Sequence, residues 1–130
     1  MFLDKIVNKK KIQIEEEKKQ LSYSEVLENI EKYEYNHRDF KKALNKEKIS
    51  IIGEIKKASP SKGVILKDFN PINIAEVYEK INIDAISVLT EKYFFQGDDS
   101  YANEVKKVTT KPIFRKDFIV YYIQNSKIHK

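Results

Sequence analysis

Apolar residues recur at helical spacing through the first third of the chain and then condense into short runs separated by polar loops. Leu3, Ile6, Val7 and Ile14, with Lys10 in the same register, fit one face of a helix ending near Gln20. Ser22-Tyr23-Ser24-Glu25 is a capping box, in which the serine hydroxyl and the glutamate satisfy each other's backbone N–H groups, so a second helix starts there. Val26, Leu27 and Ile30 form its apolar face. Asp39 through Leu44 predicts a short helix with Phe40, Ala43 and Leu44 toward the core. For all these positions packing is the plain explanation.

The pattern changes at Ile49. Ile49–Lys56 is an isoleucine-rich strand, and Ala58–Lys67, with Pro60 and Gly63, reads as a loop. Asn70 then caps a helix with Pro71 in its first turn, and Ile74, Tyr78 and Ile81 line one face. Asp84–Thr90 is a second strand, Glu91–Asp99 a loop, Ser100–Val108 a helix and Pro112–Asp117 a third strand. A last helix is expected from Val120. Strands alternating with helices at roughly 30-residue intervals imply βαβ units and a parallel sheet. Parallel strands are usually buried on both faces, which accounts for their apolar content. An open doubly wound sheet and a closed eight-stranded barrel both fit. The first strand–helix loop lacks G-x-G-x-x-G, so a dinucleotide fingerprint is excluded.

Composition narrows the function classes. The 130 residues suffice for one domain, with 41% hydrophobic and 35% charged residues, the latter above the roughly 25% of an average globular protein. The net charge of +5 does not mark a nucleic-acid binder, because over the first 50 residues Lys9–Lys11, Lys18, Lys19, Lys41 and Lys42 interleave with Glu15–Glu17, Glu28, Glu31 and Glu34. Mixed signs make solvated helix faces. Cysteine is absent, which excludes disulfides and thiol nucleophiles. No apolar run approaches the roughly 18 residues of a membrane span, and Met1–Lys11 lacks a signal-peptide core, so a cytoplasmic protein is expected.

The residues with chemistry stand at strand ends. Side chains alternate along a strand, so Ile52, Glu54 and Lys56 share one face and Ile51, Gly53 and Ile55 the other. Glu54 and Lys56 lie about 6.6 Å apart along the strand. Charged groups on a buried strand face are costly unless paired or used. They occupy the carboxyl end, where ligands bind in both open α/β sheets and barrels. Lys116 ends the third strand in the same way, sharing a face with Phe114. A partly desolvated ammonium is a usable general acid. Structural salt bridges, Lys116 to Asp117 or Lys56 to Glu54, explain the same spacing equally well. Ser59 and Ser61 flank Pro60 and suit either an anionic ligand group or an ordinary turn. Phe94 and Phe95 suit either an aromatic ligand or loop anchoring. His37 and His129 stand apart from these motifs and do not argue for a metal.

Four strings, Glu54-Ile-Lys-Lys-Ala-Ser-Pro-Ser-Lys-Gly63, Ala85-Ile-Ser-Val-Leu-Thr-Glu91, Phe94-Phe-Gln-Gly97 and Pro112-Ile-Phe-Arg-Lys-Asp-Phe118, closely resemble indole-3-glycerol phosphate synthases in order and spacing. The helical leader fits that family too, and the resemblance covers about Leu3 to Val120. It implies an α/β fold, the first three strands of a (β/α)8 barrel over 49–130, preceded by a helical extension over 1–48. It implies closure of the indole ring of 1-(2-carboxyphenylamino)-1-deoxyribulose 5-phosphate, with loss of carbon dioxide and water, in tryptophan biosynthesis, without cofactor or metal. By the same resemblance Lys116 matches the catalytic general acid. Glu54 matches the carboxylate assisting proton transfer and dehydration, and Lys56 a lysine that pairs with an anionic part of the substrate. Ser59 matches a hydroxyl near the substrate carboxylate, and Phe95 an aromatic residue beside its ring.

Departures from the family pattern are local. Asn82-Ile83 replaces a usual Gly-Ala, which asparagine permits because it tolerates the left-handed conformation. Asp98 replaces a common serine. From Tyr121 to Lys130 the resemblance fades. A whole barrel needs about 250 residues. The family's later acidic, asparagine and serine positions and its main phosphate loops have no counterpart in this sequence. The expectation is an enzyme piece, inactive alone and completed by a complementary C-terminal half-barrel chain. The alternative is a non-catalytic partial barrel or interaction module.

Overall fold

A computed structural model describes residues 1–32, 37–121 and 124. The chain divides into two compact units. One is formed by the described parts of Met1–Asn36 and Phe118–Lys130, the other by His37–Asp117.

In the first unit, α1 (Phe2–Gln20) buries Ile6, Lys10 and Ile14 along one face. Leu3, expected on that face, is exposed. Lys10 keeps its ammonium satisfied by donating to Gln13 Oε1 at 3.0 Å. In α2 (Tyr23–Glu31) the expected capping box is formed: Ser22 N donates to Glu25 Oε2 at 2.7 Å and Glu25 N to Ser22 Oγ at 3.4 Å. Val26 and Ile30 are half-buried and Leu27 is exposed. Gln124 is buried. Its carbonyl accepts from Val120 N and Tyr121 N, and its amide donates to Phe118 O. The helix expected from Val120 falls mostly on residues 122, 123 and 125–130, outside the described residues, as does His129.

The second unit is the α/β part. It comprises α3 (Phe40–Leu44), β1 (Ile52–Ile55), β2 (Ala58–Ser59), β3 (Gly63–Val64), α4 (Pro71–Lys80), β4 (Ala85–Leu89), α5 (Ser100–Val108) and β5 (Ile113–Lys116). β1, β4 and β5 form a parallel sheet in the order β1-β4-β5, the opening three strands of a partial (β/α)8 barrel. Asn70 caps α4 by accepting from Ile72 N and Asn73 N, with Pro71 in the first turn, where its missing N–H costs nothing. Asn82, at φ 56°, makes the left-handed turn from α4 toward β4.

The core lies on one side of the sheet. Ile55, Ile86 and Val88 meet Ala75 of α4, Ile83 and Val105 of α5, with Ile74, Tyr78 and Tyr101 packed around them. Ile81 does not join this face and is exposed, because the helix ends at Lys80. The expectation of burial on both faces holds for β4, buried at every position, and fails for its neighbours. Ile52 is 46% and Phe114 51% exposed. Both point away from the core, and on that side Phe40 of α3 packs on Phe114 at 5.9 Å between ring centroids. β1 is also shorter than the apolar run suggested. Ile49 and Ile51 are exposed, and pairing with β4 begins at Ile52.

Candidate active site

Three charged side chains meet over the open face of the sheet at its carboxyl end. Glu54 lies beside Ser87 of β4, and Lys116 of β5 beside Leu89, two positions further along and so on the same face. Glu54 and Lys116 thus reach across the central strand: Lys116 Nζ donates to Glu54 Oε2 at 2.7 Å. Lys56, two residues on from Glu54, lies 2.8 Å from the other oxygen, Oε1. One carboxylate is therefore clasped by two ammonium groups, each on its own oxygen. The salt bridge between Lys56 and Glu54 that spacing suggested is present. Lys116 turns to Glu54, and Asp117 pairs instead with Arg115 at 3.0 Å.

The strand parity places Glu54 and Lys56 together as expected, but not on a buried face. The buried side carries Gly53 and Ile55, while the side chains of Glu54, Lys56 and Lys116 remain 30%, 33% and 52% exposed. Water therefore reaches the cluster in this chain, and the desolvation expected around Lys116 is not realised. For Glu54 two influences oppose each other. Partial burial pushes its carboxyl up, while the hydrogen bonds and charges of Lys116 and Lys56 pull it down and prevail, leaving it below its ordinary 4.5. The Glu54 carboxylate is ionised near neutral pH and adjoins the side-chain nitrogens of Lys56 and Lys116. That is a proton donor and a proton acceptor in contact, facing an open surface.

This shift has a consequence for stability. A carboxyl whose folded value lies below its unfolded one stabilises the fold fully above the unfolded value, and that contribution disappears as the pH falls through the folded value. Glu54 is expected to contribute at pH 7 and to lose its contribution below about 4.5. Urea titrations at descending pH should show a shallower acid loss for Glu54→Gln than for the parent chain. Equal slopes would exclude the contribution.

The two loops above the sheet are held by their own polar groups. The segment after β1, expected to be plain loop, contains the small antiparallel hairpin of β2 and β3. Gly63 at φ 64° permits the reversal, and Ile65 N closes it onto Lys57 O at 2.8 Å. Ser59 sits in this hairpin, its hydroxyl accepting from Lys62 N at 3.3 Å and 3.4 Å from Ser61 Oγ. The turn role of Ser59 is thus directly visible. In the loop after β4, Glu91 is fully buried and acts as an internal template. Its carboxylate accepts from the backbone N–H groups of Tyr93, Phe94 and Phe95 at 3.1, 2.6 and 3.1 Å. Phe95 is thereby fixed at its backbone and half-buried. Asp98 accepts from Ser100 N at 2.9 Å at the start of α5, and this hydrogen bond pulls its carboxyl below the usual range. The residue that departs from the family serine still serves the helix entry.

Gly97 closes this loop directly onto β4. A Cβ there would stand 2.5 Å from Leu89 O and 2.7 Å from Thr90 C, both backbone atoms that cannot swing aside. Gly97→Ala is therefore expected to cost about 1–3 kcal/mol, the usual range for overpacking, read from urea unfolding. A cost near zero would show that the loop stands off the strand.

Sequence reasoning gave no role to Arg115, Glu91 or the hydroxyl of Tyr78. Arg115 follows strand alternation onto the helix side, where an arginine is unexpected, and the acids near it in sequence were the available signal. His37 is exposed, and among the described residues no three His, Asp or Glu side chains group as a metal site. Among the described residues no helix is long and apolar enough to cross a membrane.

Comparison with known proteins gives the chain a family. The family model described as indole-3-glycerol phosphate synthase matches residues 3–129. The chain is 60% identical over 130 residues to the protein of that name from Thermoanaerobacter pseudethanolicus, covering 98% of this chain and 49% of the relative. It is 54% identical to that of Clostridium acetobutylicum, covering 98% and 50%, and 48% identical to that of Campylobacter fetus, covering 99% and 51%. The chain spans about half the length of the curated relatives it matches.

Proposed function

The chain belongs to the indole-3-glycerol phosphate synthase family, and from that premise we propose that Glu54, Lys56 and Lys116 carry the closure of the indole ring of 1-(2-carboxyphenylamino)-1-deoxyribulose 5-phosphate. The observation that supports this most is the Glu54 carboxylate held between Lys116 and Lys56 at 2.7 and 2.8 Å. Ring closure joins an aryl carbon to a ketone carbon. The ketone oxygen must gain protons to leave as water, the ring carbon loses its carboxylate as carbon dioxide, and a proton is removed as the double bond forms. No electrons are gained or lost overall, so the work is proton transfer and charge stabilisation.

Lys116 is the general acid for the ketone oxygen. Glu54 orients the Lys116 ammonium and accepts a proton in the dehydration. Lys56 stays charged and pairs with an anionic group of the substrate. Ser59 lies near the substrate carboxylate, and Phe95 beside the aromatic ring. These residues belong to strand ends and loops over the carboxyl end of the sheet, the functional end of a barrel. Over the described residues β1 and β5 each pair only with β4, so each leaves an edge for another strand. A complementary chain supplying the later strands completes the site in this reading. A cytoplasmic setting goes with a phosphorylated substrate that its charge retains inside cells.

The test combines this chain with the C-terminal half of the Thermoanaerobacter pseudethanolicus relative and follows indole-3-glycerol phosphate formation. Product from the mixture and from neither part alone is the expected result. A stable complex without product would overturn the catalytic reading and favour a non-catalytic partial barrel.

A further inference from the structure

The Glu54 cluster lies on one face of the sheet, but the backbone that carries it is gripped from the other. On the helix side, Tyr78 of α4 lays its ring against β1 at Gly53. A Cβ at Gly53 would fall 2.7 Å from that ring and 2.5 Å from Ile83, so only glycine leaves the ring its seat. One residue further on, the Tyr78 hydroxyl donates to the Glu54 carbonyl oxygen at 2.9 Å. Gly53 admits the ring and Glu54 receives the hydrogen bond. A phenyl ring would fill the same space, so packing does not explain the hydroxyl.

We propose that Tyr78 is a positioning residue for the active-site carboxylate: its hydroxyl fixes the Glu54 backbone from the helix side and so sets where the carboxylate meets Lys56 and Lys116. Among the described residues β1 is paired in the sheet on one side only, so the ladder from β4 restrains it less than a central strand. The carboxylate must reach one ammonium on its own strand and another two strands away. A small slide or tilt of β1 would lengthen the second contact first. Among the described residues, the charged or titratable groups that interact with Glu54 are Lys56 from β1, Lys116 from β5 and Tyr78 from α4. Its register neighbour on β4, Ser87, carries no charge. Burial, and then the nearby Glu54 charge, push the Tyr78 phenol above its ordinary 10.0, consistent with the two groups sensing each other.

The inference rests on the reading of Glu54 as the proton-transfer carboxylate. Its test involves no turnover, so a failure of either can be told from a failure of the other. The Glu54 side-chain carboxyl carbon is followed by NMR against pH in the 130-residue chain. Tyr78→Phe is expected to raise the Glu54 midpoint by about half a unit, toward the free value, because its contacts with the lysines loosen. Tyr101→Phe, which alters a half-buried tyrosine of the same core, should leave it in place. An unchanged Glu54 midpoint in Tyr78→Phe, whatever its stability, overturns the inference, as does an equal shift in Tyr101→Phe. Should Tyr78→Phe not fold, the reciprocal measurement decides. Glu54→Gln must lower the Tyr78 phenol midpoint, since coupling between two sites is mutual, and an unmoved phenol overturns the inference.

Discussion

Replacing Lys116 with methionine in the completed barrel is expected to lower turnover about 10²- to 10⁴-fold, the usual contribution of a positioned general acid, with little change in KM. Methionine keeps the length and apolar stem of lysine and removes only the ammonium. Two roles for that ammonium predict different results. As a salt-bridge partner it is half-exposed, and such pairs contribute about 0–1 kcal/mol at most, so its loss would barely disturb folding or rate. As a proton donor it acts mainly in the transition state, and its loss falls on kcat. Lys56→Met provides the contrast. A lysine that holds an anionic group equally in ground and transition states should raise KM and leave kcat nearer its original value. Steady-state kinetics of the two variants in complex with the complementary half distinguish the roles. Equal, small losses in both would reduce the cluster to structural pairing.

The arrangement behind this prediction was only partly legible in the sequence. Alternation along a strand was enough to put Glu54 and Lys56 on one face, and they are. Alternation says nothing about register between strands, and the contact between Glu54 and Lys116 spans 62 positions of sequence. It exists because β4 pairs with both β1 and β5 and places Lys116 two residues beyond Glu54, on the same face. Only the resemblance to a family linked those two residues in advance. The side of the sheet that is covered was misread for a related reason. A run such as Ile-Ile-Gly-Glu-Ile looks buried on both faces, but the second face is covered only when further strands curl over it, and Ile52 and Phe114 show that here it is open. Local chemistry was read more securely. The capping box at Ser22, the Asn70 cap and the left-handed Asn82 depend on a few adjacent residues, and all three are found in the structure. Ser59 sits between these cases. An ordinary turn was one of its two readings and is seen in its backbone contact, and the hairpin around it needed the pairing of Ala58 with Val64.

Arg115 was the least legible residue, and its removal should have the largest effect on folding. It lies on the helix side of β5 with its side chain 4% exposed. Nη2 donates to Asp117 Oδ2 at 3.0 Å, and Nε and Nη2 both donate to Asp99 Oδ1, at 3.1 and 2.7 Å. The Asp117 side chain is 2% exposed and also lies 3.5 Å from Thr90 Oγ1. The planar guanidinium thus ties the end of β5 to the start of α5, a geometry that a single ammonium cannot copy. Arg115→Met takes from the buried Asp117 carboxylate the guanidinium that pairs with it at 3.0 Å. Breaking a buried pair by removing one partner typically costs about 3–5 kcal/mol, and a loss of that size is expected in urea unfolding of this chain. The cause can be separated from lost packing. If the charge left behind is what destabilises, then adding Asp117→Asn to Arg115→Met should recover part of the loss, because the amide keeps a polar side chain and removes the charge. Arg115→Lys should fall between the parent and Arg115→Met, because it keeps the charge and gives up the fork. A double variant no more stable than the single one would show instead that the arginine stem, rather than its charge, holds the carboxyl end of β5 in place beside Lys116.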